Sequence, residues 1–175
     1  MVTLLRDLSS RDPLYHQALQ LVEDGDCAPV RKLLQEHQIN PNTNECEFLR
    51  QAIVHNHPFI FYYLLPFYCK EVDKSDVLCE ASSLNRSEFV AALLPLTDPN
   101  VNQSEPLMWA ARHNNVDLMD RLLPISNVFD AIEQVDRYAE KPTLPHTLAY
   151  QGREYLQQYI ALQINSGAEG KPKKI

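Results

Sequence analysis

At 175 residues with 45% hydrophobic side chains, the chain is long enough for one domain with its own core. Sixteen Lys and Arg against 23 Asp and Glu leave a net charge of −7. That balance argues against nucleic acid as a partner, because binding phosphates needs a positive surface, and it is compatible with a basic protein partner. No apolar run approaches the roughly 18 residues needed to cross a membrane, and the N-terminal MVTLLRDLSSRDP lacks the apolar core and cleavage site of a secretory signal. No membrane association is expected. The expected compartment is the cytoplasm, or a host cytosol if the chain is exported by a specialised route. Cys27, Cys46, Cys69 and Cys79 form no CxxC pair and are expected as buried thiols.

In chain order, residues 1–12 form a short lead-in. Asp12-Pro13 predicts a helix N-cap followed by proline at the first helical position. From there a periodic pattern takes over. Leu-Leu-Pro occurs at Leu64-Leu65-Pro66, Leu93-Leu94-Pro95 and Leu122-Leu123-Pro124, each 29 residues after the last, and Leu33-Leu34 stands 31 residues before the first. A fixed period of this size marks a repeat architecture. Sliding the chain by 29 aligns Leu49, Leu78 and Leu107, then Ala52, Ala81 and Ala110, then Asn56, Asn85 and Asn114, then Ile60, Phe89 and Leu118. Ala18, Leu21 and Gly25 extend these columns upstream, and Leu148, Gly152, Leu156 and Ile160 extend them downstream after an insertion of about nine residues.

A Leu followed three positions later by Ala is one stripe of a short helix. Asn or Gly at its end tolerates the left-handed conformation and turns the chain. The next apolar residue and the Leu-Leu pair form one face of a second helix, and proline disfavours further helix in the residue before it. Each unit is thus a helix–turn–helix hairpin, with hairpins expected at about 13–37, 45–69, 74–96, 104–125 and 144–163. Pro29 suits the opening turn of the first unit's second helix; Asp76 is placed to cap the third hairpin, and Glu105-Pro106 opens the fourth. Residues 127–143 break the period. Within them Val128, Phe129, Ile132 and Val135 lie at helical spacing, which predicts an extra short helix, either a cap over the fourth unit or a functional insertion. Pro142 and Pro145 bracket a turn before the last hairpin, whose outer face is supplied by Arg153, Glu154, Gln157, Gln158 and Gln163. Residues 1–165 are expected as a single repeat domain and 166–175 as a disordered tail.

Asp98-Pro99-Asn100-Val101-Asn102, followed by Glu105-Pro106-Leu107-Met108-Trp109-Ala110-Ala111 and ending at Leu122-Leu123, resembles an ankyrin repeat. The resemblance lies in D-x-N, P-L-x-x-A-A and the closing Leu pair. Glu105, Met108 and Asn114 replace the family's Thr, His and Gly, and Ile39-Asn40-Pro41-Asn42 resembles the same loop entering the second unit. The family's repeat has about 33 residues, so these units are shortened where the family places its β-hairpin finger. The resemblance implies an all-α, ankyrin-like α-solenoid of about five stacked helix–turn–helix repeats with shortened loops. Such a protein would bind through helical faces rather than fingertips.

Column reasoning locates candidate contacts. Gln51 and Glu80 share the column of Trp109, which places Trp109 on the exposed side of its first helix, facing the groove of an ankyrin-like stack or folded down over its neighbours. Exposed Trp is enriched at binding hot spots. The resemblance also points the two residues before the turn toward the groove, which adds His55, Arg112 and His113. Tyr62 and Tyr63 share columns with Arg31 and Lys32, with Ala91 and Ala92, and with Asp120 and Arg121, all solvent positions of second helices. With Phe59, Phe67 and Tyr68 nearby they predict an aromatic patch on the convex face, used as an interface or covered by the lead-in.

No catalytic residue, metal site or cofactor is expected. The sequence has no HExxH, GxSxG, GxxxxGK[ST] or GxGxxG, His55-x-His57 lacks a third ligand nearby, and four glycines leave little for a phosphate cradle. The expected function is recognition of a partner protein through the concave helical face by a chain that is monomeric when free. Inhibitor, immunity or secreted effector proteins are narrower forms of that role. The alternatives are an enzyme using residues 127–145 with the groove, or an adaptor domain of a larger protein.

Overall fold

The computed structural model describes residues 5–69, 77–139 and 147–165. Asp76, Pro142, Pro145 and the tail 166–175 lie outside them. The described residues are helical throughout apart from turns and one isolated parallel bridge, Arg6 to Ile39. The chain divides into two compact units, Met1–Ala81 and Ser82–Ile175.

In the first unit, helices α1 (Pro13–Asp24) and α2 (Cys27–Glu36) form one hairpin, and α3 (Thr43–Val54) and α4 (Pro58–Leu64) the next. The hairpins stack in register, α1 on α3 and α2 on α4. The Asp12 carboxylate accepts from Leu14 N–H at 3.0 Å with Pro13 at the first position, the cap read from the sequence. Gly25 adopts φ 85°, and its neighbour Asp26 donates to Leu21 C=O at 3.3 Å. Asn56 does the same with φ 59°, His57 donating to Ala52 C=O at 2.8 Å. This left-handed closure satisfies carbonyls the helix end would otherwise leave bare. The lead-in lies along residues 38–40: Arg6 N–H donates to Gln38 C=O at 2.6 Å and Asn40 N–H to Arg6 C=O at 2.8 Å.

Helix α5 (Val77–Ser83) spans the division between the units, and α6 (Ser87–Leu93) follows a turn at Asn85, φ 55°. In the second unit α7 (Val101–Arg112) is the hub. Helices α8 (Val116–Leu122), α9 (Val128–Tyr138) and α10 (Leu148–Asn165) all pack on it, and α9 also packs on α10. The period predicts burial of its columns rather than these helix pairs. Leu49, Leu78 and Leu107, Ala52, Ala81 and Ala110, and Ile60, Phe89 and Leu118 are all buried. A further column escaped the sequence reading: Val30, Phe61, Val90 and Met119 are each wholly buried. Its members share apolarity and no side-chain shape. Leu21, counted in the upstream columns, is only half-buried, and Val22 takes the core position.

Leu-Leu-Pro stops α4, α6 and α8 at its first leucine, but not as expected. Leu65, Leu94 and Leu123, each preceding proline, keep helical dihedrals with φ −52, −50 and −51°. The helix ends because proline has no N–H to donate back to the carbonyl four residues earlier, not because its predecessor turns extended. Helices α3 and α7 share a second device. Asn44, Glu45 and Cys46, and 58 residues later Asn102, Gln103 and Ser104, all take left-handed dihedrals. The surrounding bonds match. Asn40 and Asp98 side chains accept from Asn42 and Asn100 N–H, Cys46 and Ser104 donate to the Asn42 and Asn100 side chains, and those amides donate to Phe67 and Ile125 C=O. The right-handed part of α7 therefore begins at Glu105-Pro106, where the sequence places the opening of the fourth hairpin.

Two expectations for the C-terminal part change. Segment 144–163, expected as a hairpin turning at Gly152, is part of one continuous helix over its described residues. Gly152 is there for close approach, not for a turn: a Cβ on it would stand 1.9 Å from Ala111 C=O of α7. Leu148, expected in the buried stripe, is 56% exposed, while Leu156 is buried. Helix α9 forms as expected and buries Val128 and Val135, but Phe129 is 63% exposed. Buried Gln134 on the same helix donates both amide hydrogens to Asn102 and Gln103 C=O, at 2.5 and 2.8 Å, fastening the left-handed turn of α7.

Candidate functional site

One face of α7 brings three of the predicted residues together. Glu105, Trp109, Arg112 and His113 are spaced by four, three and one, which places them on adjoining turns of one helix face. Trp109 is half-buried, as are Gln51 and Glu80 of its column. The indole Nε1–H donates to Glu105 Oε1 at 3.0 Å. The Arg112 guanidinium lies over the indole 4.8 Å from its centre, and the His113 ring stacks beside it at 6.0 Å and 24°. Nε2 of His113 donates to Ser83 C=O at 2.8 Å, and since a carbonyl only accepts, that nitrogen carries the proton. Trp109 is therefore held from two sides, while Arg112 has no carboxylate partner among the described residues. His113 is a tie within the fold as well as part of the surface.

His55 belongs to the first unit. It is exposed, and its ring lies parallel to that of His57 with centres 6.0 Å apart. His57 Nε2 donates to Glu23 C=O at 2.9 Å, so its ring also ties the first two hairpins. The aromatic patch is present on α4 and the 3-10 turn Leu65–Phe67 that follows it: Phe59 is 81% exposed, Tyr62 45% and Phe67 42%. Tyr63 is half-buried, edge-on to Phe67 at 5.9 Å, with the Arg31 guanidinium 5.3 Å from its ring centre. Burial pushes the Tyr63 phenol above its ordinary pKa, and Arg31 opposes this. The lead-in hydrogen-bonds residues 38–40 and Thr43.

The sequence reading missed two partners, Glu105 and Arg31. The signal for Glu105 was present in the i, i+4 spacing to Trp109. Arg31 was placed in the column of Tyr62, whereas the stack sets it beside Tyr63. Cys46 and Cys79 are buried as expected, but Cys27 and Cys69 are only half-buried. Among the described residues no three His, Cys, Asp or Glu side chains converge as a metal site would require, and no helix is long and apolar enough to cross a membrane.

No protein-family model, curated protein or solved structure matches the chain.

Proposed function

We propose that this is a small ankyrin-like helical-repeat protein that recognises another protein through the exposed face of α7 and has no catalysis of its own. The observation that carries this reading is the Arg112 guanidinium placed over a half-buried Trp109 whose indole N–H is already held by Glu105. A Trp and an Arg ordered before binding lose little side-chain entropy on docking, and these are the residue types that dominate interface energetics. The outer edge of the guanidinium is left for a carboxylate or carbonyl of the partner. In an ankyrin-like stack this face lines the concave groove. The 29-residue period, the buried columns and the matching turns of α3 and α7 support the repeat architecture.

The test is affinity purification from the native host with mass spectrometry, using the wild-type chain and the Trp109→Ala/Arg112→Ala double variant as baits. A protein recovered by the wild type and lost by the variant is the expected result. Recovery of the same proteins by both would overturn the assignment of this face. His113→Ala is a poorer probe, because it also removes the tie to Ser83.

A further inference from the structure

The outer face of α2 and α4, in the first unit, carries a second signal. Helix α4 buries Ile60, Phe61 and Leu64 completely or nearly so, which uses one full side of the helix. Phe59 is on the other side and contributes nothing to that core. In the repeat alignment its column holds Glu88 and Asp117, both exposed, so a charged residue satisfies the fold at this position. The second hairpin puts phenylalanine there and follows it, one and two turns on, with Tyr62, Tyr63 and Phe67. Alongside runs α2, whose exposed Arg31 reaches over Tyr63. A shallow cleft of about 320 Å³ on α2 is lined by Ala28, Arg31, Lys32, Gln35 and Glu36. Its one carboxylate, Glu36, stands 3.8 Å from Lys32 in an exposed pair that water screens. Arg31 has no carboxylate partner among the described residues. In a chain of net charge −7, this is a strip of aromatic rings edged by cations.

We propose that this strip docks a short acidic segment of another protein, with an apolar side chain on Phe59 and Tyr62 and a carboxylate on Arg31 and Lys32. Aromatic anchors one turn apart suit an extended or helical peptide laid along α4. The unpaired guanidinium supplies the charge complementarity that selects acid over base. Single-stranded nucleic acid also stacks on aromatics beside cations, but the chain's overall negative charge repels phosphate. The proposal is independent of the α7 face.

A randomised dodecapeptide library displayed on phage, panned against the full chain, tests it. Recovered peptides, fluorescein-labelled, are then titrated by fluorescence anisotropy. Peptides combining Asp or Glu with Leu, Phe or Trp are expected. Their affinity should drop about tenfold or more for Arg31→Glu and for Phe59→Ser, both at exposed positions where the helices still form. Replacing the peptide's acids by lysine should restore binding to Arg31→Glu, a charge swap that general unfolding does not mimic. Trp109→Ala should leave the affinity unchanged. Recovery of basic or uncharged peptides only, of none, or of peptides indifferent to both substitutions would refute the proposal. So would sensitivity to Trp109→Ala alone, or tighter binding of oligothymidine than of any peptide.

Discussion

Asn56 and Gln134 each hold one backbone feature, and each can be tested alone. Asn56 closes α3 at φ 59°. Asn56→Ala sets at this left-handed position a residue that tolerates it less well than asparagine does, and should cost about 1–2 kcal/mol. Asn56→Gly should be close to neutral, since glycine adopts the same conformation without penalty. Urea unfolding of the two variants checks the pair, and equal losses would show that the side chain and not the conformation matters. Gln134 is a different case. It is buried and gives both amide hydrogens to the carbonyls of Asn102 and Gln103. Gln134→Glu keeps the shape and removes both donors, setting a carboxylate against two carbonyl oxygens. A loss of about 1–3 kcal/mol or more is expected by the same measurement. A variant as stable as the wild type would mean that the left-handed turn holds itself.

Among the elements, α10 depends most on one position. It crosses α7 at Gly152, where a Cβ would meet the Ala111 carbonyl oxygen, carbon and Cα within 2.8 Å. Backbone cannot swing aside as a side chain can, so Gly152→Ala should separate the two helices. The expected cost is about 1–3 kcal/mol, the usual range for overpacking, or more. Helix α10 is also fastened at its flank, where Arg153 binds the Asp136 carboxylate of α9 through two nitrogens and Tyr155 donates to Asp120 at 2.5 Å. Faster amide exchange throughout α10 in Gly152→Ala would identify the crossing as its anchor. Protection unchanged from the wild type would show that these flanking bonds suffice.

At the scale of the whole molecule, tyrosines with raised pKa values shape the response to alkali. Tyr15 and Tyr63 are held above the ordinary phenol pKa chiefly by burial, and Tyr155 chiefly by its hydrogen bond to Asp120. A raised folded value means that the unfolded chain releases these protons first as pH rises. Their contribution is intact below the unfolded pKa of about 10 and is lost as pH climbs through the folded values. Stability should therefore fall above about pH 10 in step with tyrosinate absorbance, as followed by the urea midpoint. A midpoint that holds or rises there would contradict the environments of these rings.

The sequence by itself determined most of the helices, the pairing of α1 with α2, α3 with α4 and α7 with α8, and most of the buried columns. Those follow from period and polarity, which are local properties: Leu then Ala on one stripe, Asn where the chain must turn left-handed, proline where a donor must be missing. It also placed Trp109, Arg112 and His113 together, because residues three and four apart on a helix are neighbours. Only the tertiary structure decided the role of Gly152, since a glycine that turns the chain and one that admits a crossing helix look identical in one dimension. The same holds for Arg31 beside Tyr63, His113 on Ser83 and Gln134 on the turn of α7. Each of those contacts joins residues about 30 positions apart in the chain, and which face meets which is set by how neighbouring helices settle against one another.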